Sequence, residues 1–367
     1  MLVFVGTYTD PILFGTGKVL QGKGEGIYVY RLDQSSGSLA FVSKTSGITN
    51  PSYLAFDTTQ KFLYAVNELK MYEGKPTGTV SAFTVDPQTG RLEFLNKQLT
   101  HGTDPCHVLV DRQRTHVFVA NFMSGSVCVL PVSDDGSLGE ASGFIQHQGS
   151  SIDPVRQQGP HAHSVTLDAS NRFAFVPDLG LDKLMVYRFD PKRGTLEANA
   201  VPWIKMKPGA GPRHISFRPG GRFAYLVNEL DSTVVVLSYD DSAGTFEHLQ
   251  TTPTLPEGFG GESTCADIHV SPSGTFVYAS NRGHDSIVIY RIDPLAGKLR
   301  CVGHEQTRGK TPRSFGIDPT GSFLLVANQD SDSVVTFRID AKSGKLRPTG
   351  HVTQVPTPVC VKFLTAR

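Results

Sequence analysis

Hydrophobic and polar residues alternate along the chain in short runs separated by turns, and this pattern recurs at nearly regular intervals. The clearest copy has apolar runs at residues 53–56, 62–66, 80–85 and 92–95, each bounded by polar residues, Gly or Pro. No stretch between such runs keeps the 3.6-residue period of an amphipathic helix. The pattern therefore predicts an all-β protein whose repeating unit is four short strands.

The repeat is visible directly in residues 50–67, 211–228 and 311–328, which read NPSYLAFDTTQKFLYAVN, GPRHISFRPGGRFAYLVN and TPRSFGIDPTGSFLLVAN. The second position of each copy serves as an anchor, and the anchors are Pro51, Pro105, Ala162, Pro212, Cys265, Pro312 and Pro358. They are spaced 46 to 57 residues apart, close to the roughly 40–50 residues of a propeller blade. Seven copies predict a seven-bladed β-propeller that forms a single domain over residues 1–367.

Turns and chain ends support this interpretation. An Asp-x-x-x-Gly-x-Leu turn between the third and fourth strands begins at Asp33, Asp86, Asp190, Asp293 and Asp340, and such turns need Asp to start them and Gly to close them. Residues 358–364 form a first strand with nothing after it, whereas residues 2–5, 26–31 and 39–43 supply the other three strands. We therefore expect both ends of the chain to complete the last blade, which closes the ring.

Composition narrows the class of protein. Lys and Arg number 35 against 34 Asp and Glu, so there is no general electrostatic reason to bind nucleic acid or an anionic membrane. No apolar run approaches the length of a membrane span, and the N-terminal residues read as a strand rather than a signal peptide. Five scattered cysteines without a Cys-x-x-Cys pair favour a reducing cytoplasm over a disulfide framework or a zinc site. A monomer or weak homodimer is expected.

The seven copies also allow each position to be compared with its equivalents. Sixteen residues after the anchor, the side chain is nearly always amide or carboxylate, which is typical of a structural role at a strand end; the residues are Asn67, Asn121, Asp178, Asn228, Asn281 and Asn328. Two neighbouring columns have no common chemistry. One contains Glu68, Phe122, Leu179, Glu229, Arg282 and Gln329, and the other contains Ser52, Cys106, His163, Arg213, Ala266, Arg313 and Val359.

The two variable columns should meet, because the first strand of a blade begins where the second ends. This geometry predicts a polar pocket at one mouth of the central channel, formed by His163, Arg213, Arg313, Glu68, Glu229 and Arg282. Further candidates for substrate contact are His161, His214, Asn228 and Asn281. His161 and His163 are two residues apart and could project to the same side of a strand. With Glu229 they could hold a metal, but His-x-His alone is a weak zinc signal, and we expect no metal.

Several motifs together resemble the seven-bladed propeller lactonase family, which includes bacterial 6-phosphogluconolactonases and fungal carboxy-muconate cycloisomerases. The motifs are GPHAHS at 159–164, GPRH at 211–214, VNEL at 227–230, ASNRGHDS at 279–286 and ANQDSDS at 327–333. The resemblance extends over essentially the whole chain. It implies an enzyme without a cofactor whose site consists of one His, two Arg and one Glu. Those residues correspond here to His163, Arg213, Glu229 and Arg282.

The expected function is hydrolysis of a sugar lactone, with 6-phosphogluconolactone of the pentose phosphate pathway as substrate. Arg213 and Arg282, with Arg313 nearby, would bind a phosphate or carboxylate, and either Glu229 or His163 would act as general base. Two alternatives remain at this stage. One is cycloisomerisation of a carboxy-muconate by the same groups, and the other is a non-catalytic scaffold, which would present an apolar patch at the mouth.

Overall fold

The computed structural model describes residues 1–365, and within them seven four-stranded antiparallel sheets form the blades of a β-propeller. The same residues include one two-stranded hairpin and a single turn of 3₁₀ helix at Gln329–Ser331. The all-β, seven-bladed prediction is thus confirmed.

Blades 1 to 3 follow one another along the chain. Blade 1 consists of β6 (Leu54–Phe56), β7 (Phe62–Asn67), β8 (Thr79–Val85) and β9 (Leu92–Leu99). Blade 2 consists of β10 (Pro105–Val110), β11 (His116–Asn121), β12 (Ser126–Pro131) and β13 (Gly143–Gln146). Blade 3 consists of β14 (Thr166–Leu167), β15 (Phe173–Asp178), β16 (Lys183–Asp190) and β17 (Thr195–Lys205).

Blades 4 to 6 repeat the same order. Blade 4 consists of β18 (Pro212–Phe217), β19 (Phe223–Asn228), β20 (Thr233–Asp240) and β21 (Thr245–Pro253). Blade 5 consists of β22 (Thr264–Val270), β23 (Phe276–Arg282), β24 (Ser286–Ile292) and β25 (Leu299–Gln306). Blade 6 consists of β26 (Pro312–Ile317), β27 (Phe323–Asn328), β28 (Ser333–Ile339) and β29 (Leu346–Gln354).

Both ends of the chain build blade 7, as the sequence predicted. Its strands, in sheet order, are β30 (Pro358–Leu364), β1 (Leu2–Thr7), β4 (Gly26–Leu32) and β5 (Leu39–Ser46). The first of these pairs antiparallel with the second, with Val361 opposite Val5. A hairpin of β2 (Ile12–Leu13) and β3 (Val19–Leu20) interrupts the blade. This pairing gives the ring its closure, because it leaves no open edge between the chain ends.

The repeat corresponds to a fixed backbone register. The anchor residue lies opposite the polar residue sixteen positions later in five blades, and the pairs are Pro105 with Asn121, Ala162 with Asp178, Pro212 with Asn228, Cys265 with Asn281 and Pro312 with Asn328. The Asp-x-x-x-Gly turns also form as expected. In blade 1, the Gly90 amide donates to the Asp86 carbonyl over 2.8 Å, with Gly90 at a φ of +69°.

Each blade buries both faces of its second strand, since blades pack on either side. β11, β15, β19 and β27 are buried at every position, whereas the outermost strand β5 is mostly exposed or half-buried. A recurring hydrogen bond joins neighbouring blades. The phenol of Tyr278 on β23 donates to the carbonyl of Gly344, in the turn of the next blade, over 2.9 Å. Tyr64 and Tyr225 make the equivalent bonds to Gly136 and Gly297.

Among the described residues, no helix combines the length and the apolar character that a membrane crossing requires. The five cysteines are free thiols, and all except Cys301 are buried. Their burial agrees with a packing role for most of them.

Candidate active site

A polar cavity of about 390 Å³ lies at the mouth of the channel where the first strands begin and the second strands end. Five of the predicted residues line it, namely Glu68, His163, Glu229, Arg282 and Arg313. Arg213 lies just beneath, beside a narrow void that it shares with Glu68, His163 and Arg313. The hairpin residues Ile12–Leu13 cover one side of the mouth. The two variable columns therefore meet in one concave site of ordinary ligand-binding size.

Glu229 is the centre of an arginine cluster. Its Oε2 accepts from Arg213 Nε over 2.9 Å and lies 3.1 Å from a terminal nitrogen of Arg282. Its Oε1 accepts from Arg156 over 2.6 Å. The carboxylate is only 3% exposed, so all three contacts are made in a region with little water. Such contacts are charge-assisted and hold the guanidinium groups in fixed orientations.

The cluster determines the ionisation of Glu229. Burial alone would raise the pKa of this carboxyl, but the charges of Arg282, Arg156 and Arg213 outweigh it and hold the pKa well below its usual value. Glu229 is therefore a permanent anion at neutral pH and a weak proton acceptor. Its geometry suits the positioning of arginines better than the activation of water.

The remaining arginine, Arg313, is held differently. Its guanidinium carbon lies 5.4 Å from the ring centroid of Tyr8 and 5.2 Å from that of Phe14. Within residues 1–365 it has neither a carboxylate within 4 Å nor a hydrogen-bond acceptor, although it lines the cavity. Aromatic faces thus orient this cation while its N–H donors stay available to a ligand.

Two further carboxyl groups line the same cavity. Glu68 accepts from the phenol of Tyr8 over 3.0 Å, and burial raises its pKa above the usual value. Asp104 is 3% exposed, its Oδ2 is buried, and neither of its carboxylate oxygens has a hydrogen-bond partner in the described chain. Burial, and secondarily the charge of Glu68, raises the pKa of Asp104 to about 7. The site therefore contains a carboxyl that exchanges its proton near neutrality.

His163 is a buried, neutral imidazole at the cavity wall. It is 5% exposed, and its ring packs edge-on against Phe122 and His214, with centroids 5.1 and 5.3 Å away. Burial and then the charge of Arg213 hold its pKa well below the usual value. Its Nδ1 lies 3.7 Å from Sγ of Cys106.

The other four predicted contact residues do not line the cavity. His161 stacks on Phe122, with centroids 4.7 Å apart, and its Nδ1 donates to the Phe122 carbonyl. His214 donates from Nδ1 to Asp267 over 2.9 Å, deeper in the channel. Asn228 bonds within its own blade, to Thr233, and Asn281 donates to the carbonyl of Thr254, the residue that follows the last strand of blade 4. Their expected role in binding substrate is not supported by their position, because these side chains are committed to the fold.

The candidate metal ligands His161, His163 and Glu229 do not form a suitable donor set. His161 lies outside the cavity wall, and both oxygens of Glu229 are engaged by arginines. Within the described part of the chain, no group of three or more His, Cys, Asp or Glu side chains is arranged to hold a metal ion.

The cavity is less cationic than the sequence suggested, because five carboxylate side chains line it against four cationic ones. Its wall includes Lys18, Arg156, Arg282 and Arg313 beside Glu68, Asp104, Glu229, Glu262 and Asp330. Two of the important groups, Arg156 and Asp104, were not among the predicted residues. Arg156 belongs to the long segment before Ala162, the one interval of 57 residues, and Asp104 directly precedes the anchor Pro105. The unusual length of the interval from Pro105 to Ala162 was the one sequence feature that could have drawn attention to Arg156.

Comparison with known proteins identifies the family to which this propeller belongs. Residues 2–363 match the family model described as lactonase, 7-bladed beta-propeller. The chain is 37% identical over 361 residues to a 6-phosphogluconolactonase of Bacillus subtilis (98% of this chain, 97% of the relative). It is 34% identical over 318 residues to a 6-phosphogluconolactonase of Formosa agariphila (86% of each). The solved structure of a periplasmic gluconolactonase from Pseudomonas aeruginosa superposes with a TM-score of 0.92 at 36% identity and covers 100% of both chains. The chain belongs to the lactonase family of seven-bladed β-propellers.

Proposed function

We propose that this protein hydrolyses a six-membered sugar lactone that carries an anionic group, and that the substrate is 6-phosphogluconolactone. The relatives in Bacillus subtilis and Formosa agariphila bear that activity in their names. The observation that carries the proposal is Arg313, a cavity-lining guanidinium held by two aromatic rings with its donors unused. A phosphate monoester matches the planar fork of such a group.

The role of phosphate binding, which the sequence analysis gave mainly to Arg213 and Arg282, belongs to Arg313 in this proposal. Arg156, Arg213 and Arg282 are all engaged by Glu229, and Arg213 and Arg282 are also bound to the carbonyls of Ala266 and Cys265. They form a fixed positive wall that stabilises negative charge on the reacting carbonyl. Arg313 is the group left to bind the distal phosphate.

Water is activated by Asp104 in this proposal. Attack of water on the lactone carbonyl carbon requires a group that accepts one proton as the new carbon–oxygen bond forms. The bond from that carbon to the ring oxygen then breaks, and the ring oxygen takes up the proton and becomes a hydroxyl. A base with a pKa near the working pH is best suited to both transfers. Asp104 fits because its oxygens have no partner and its pKa is about 7, whereas Glu229 is held as a permanent anion.

His163 completes the site as a neutral hydrogen-bonding group. Its lowered pKa makes it a poor proton acceptor at neutral pH, but a neutral imidazole can still donate to a substrate hydroxyl or to the lactone oxygen. This keeps His163 in contact with the substrate and separates its role from that of Asp104.

A direct assay tests the proposal. The purified protein is supplied with freshly generated 6-phosphogluconolactone, with glucono-lactone as the matched substrate without phosphate, and with a carboxy-muconate. We expect hydrolysis of the phosphorylated lactone well above its spontaneous rate and a kcat/KM about tenfold or more higher than for glucono-lactone. Equal rates for both lactones would contradict the phosphate assignment, and turnover of the muconate alone would contradict hydrolysis.

The compartment and assembly belong to the same proposal. A role in the pentose phosphate pathway requires the cytoplasm, and the odd, unpaired set of five thiols fits a reducing environment. We further propose a monomer or weak homodimer. Mass measurement in solution tests the second point.

A further inference from the structure

The channel widens again at the opposite end of the ring into a second cavity of about 440 Å³, which we call the rear chamber. Its wall is formed by the later residues of the first strands, including Phe56, His107, Ser216, His269 and Lys362. It shares no lining residue with the cavity around Glu229. The rear chamber is thus a separate space of ligand-binding size, and the proposed reaction makes no use of it.

The ammonium group of Lys362 lines the rear chamber without a carboxylate partner in the described chain. Lys362 on β30 places its Nζ 3.3 Å from the phenol oxygen of Tyr53 and 4.3 Å from the centroid of the same ring. Within residues 1–365, no carboxylate lies within 4 Å of this ammonium group, and the phenol is its one hydrogen-bond partner. An ammonium has three donors, so two remain for a ligand.

The two carboxylates of the chamber wall are already engaged elsewhere. Asp267 accepts from His214 over 2.9 Å and from Ser314 over 3.1 Å, and it lies 3.2 Å from Nε2 of His269. Asp57 accepts from the backbone amides of its own turn, at Thr59 and Phe62. Neither is free to move to Lys362 without leaving buried donors unpaired, which would cost free energy.

A second donor lines the same chamber. His107 is 7% exposed, and its ring lies against that of Tyr53 with centroids 4.3 Å apart. The amide of Val165 donates to Nδ1 over 3.4 Å, so the proton of the neutral ring is on Nε2. Burial lowers the pKa of His107 well below its usual value and that of His214 to about 4. His107 therefore adds hydrogen-bonding capacity without adding charge, whereas both ring nitrogens of His214 are engaged by Asp267 and Arg213.

We propose that the rear chamber binds a small monocarboxylate anion, with its carboxylate on the ammonium of Lys362 and the ring of His107. One cation and neutral imidazoles match a single negative charge. No arginine lines the chamber among the described residues, so the fork that favours a phosphate dianion is missing. The carboxylate could come from an unphosphorylated sugar acid such as gluconate or from an unrelated small acid.

The test uses protein labelled with ¹⁵N-histidine, titrated separately with acetate, gluconate and inorganic phosphate while the ring signals of His107 and His269 are followed. We expect saturable shifts with at least one of the two carboxylates. Lys362→Met should weaken that binding about tenfold or more, whereas Lys362→Arg should retain most of it. Arg313→Met, at the other mouth, should leave the two signals unaffected.

The results of the titrations show which anion binds and whether the proposal fails. Saturation by gluconate at lower concentration than acetate identifies the sugar acid, and the reverse order identifies another small acid. Saturation by phosphate alone, or shifts that persist in a folded Lys362→Met variant, would overturn the proposal. His107→Gln provides a second variant if Lys362→Met does not fold. The titration monitors no turnover, so its result is independent of whether the lactone assay succeeds.

Discussion

Arg213 Nε donates to Oε2 of Glu229 over 2.9 Å, and this contact joins the start of β18 to the residue that follows β19. The two residues belong to the same blade, so a single hairpin positions both. Arg282 reaches the same carboxylate from blade 5, and Arg156 reaches it from the long connection between blades 2 and 3. Glu229 therefore links three segments of the ring around one buried charge.

Replacing Glu229 with Gln should damage both stability and turnover. The buried guanidinium of Arg213 and the partly exposed ones of Arg156 and Arg282 would lose their counterion, which costs about 3–5 kcal/mol of unfolding free energy. The displaced arginines should lower kcat/KM for lactone hydrolysis by about 10²-fold or more. Urea unfolding and steady-state kinetics measure the two effects. Glu247→Gln, an exposed change on the same blade, is the matched control, and a folded Glu229→Gln enzyme with normal turnover would contradict the role assigned to this cluster.

Replacing Arg313 with Met should impair turnover of 6-phosphogluconolactone much more than turnover of glucono-lactone. The loss of a charge-assisted contact to phosphate should raise KM for 6-phosphogluconolactone by about 10²-fold and leave kcat nearly unchanged. Glucono-lactone lacks the phosphate, so its kinetics should change little. Arg308→Met, a mostly exposed neighbour paired with Glu305, serves as the control. Equal losses on both substrates would show that Arg313 does not contact the phosphate.

Asp104 should give the enzyme its pH dependence. Since the base must be ionised, kcat/KM should rise with pH through about 7, the pKa of Asp104, and Asp104→Asn should remove this rise and most of the activity. Rates are measured between mildly acidic and mildly alkaline pH, with spontaneous hydrolysis subtracted at each point. A profile unchanged in Asp104→Asn would eliminate this residue as the base.

The same carboxyl should also leave a signature on stability. Its folded pKa is raised above the unfolded value of about 3.9, so the folded state binds the proton more tightly. Stability is therefore greatest below pH 4 for this group and is lost as pH rises through about 7. Asp104→Asn should be more stable than the wild type at pH 8 and similar to it at pH 4, as measured by urea unfolding. The opposite order would mean that burial does not disfavour the charge.

The hydrogen bonds between blades should each contribute a similar amount to the unfolding free energy. Tyr64→Phe, Tyr225→Phe and Tyr278→Phe each remove a phenol that donates to a turn carbonyl of the next blade. Each should cost about 1–2 kcal/mol of unfolding free energy, and the triple variant should show nearly the sum, because the three bonds share no partner and each joins a different pair of blades. Losses below about 0.5 kcal/mol would show that water replaces these bonds.

The fold could be predicted from the sequence because the repeated residues occupy fixed positions in the pairing between strands. Ala162 and Cys265 replace the usual proline, yet each pairs with the polar residue sixteen positions on, as Pro212 does. The unmatched first strand at 358–364 was sufficient to predict the closing blade. Comparison of equivalent positions brought His163, Arg213, Glu229 and Arg282 together for the same reason, because they occupy register positions at one end of the blades.

What the sequence missed depends on irregular segments and on burial. Arg156 lies in a long connection without a period, so no register predicts that it reaches Glu229. The pKa of Asp104 results from its burial beside Glu68, and burial is a property of the assembled ring. Glu229 was correctly grouped with the arginines, but its weakness as a base became evident only when three of them were found on one carboxylate.

Closure by β30 has a consequence for the order of events during synthesis. The strand nearest the axis in blade 7 follows the other six blades along the chain, whereas its partner β1 precedes them. Until residue 358 has left the ribosome, six blades can form while β1 lacks its inner neighbour. A nascent chain should therefore expose the edge of β1 to pairing with other chains until residues 358–364 emerge and close the ring. Co-translational chaperones would have this one edge to protect.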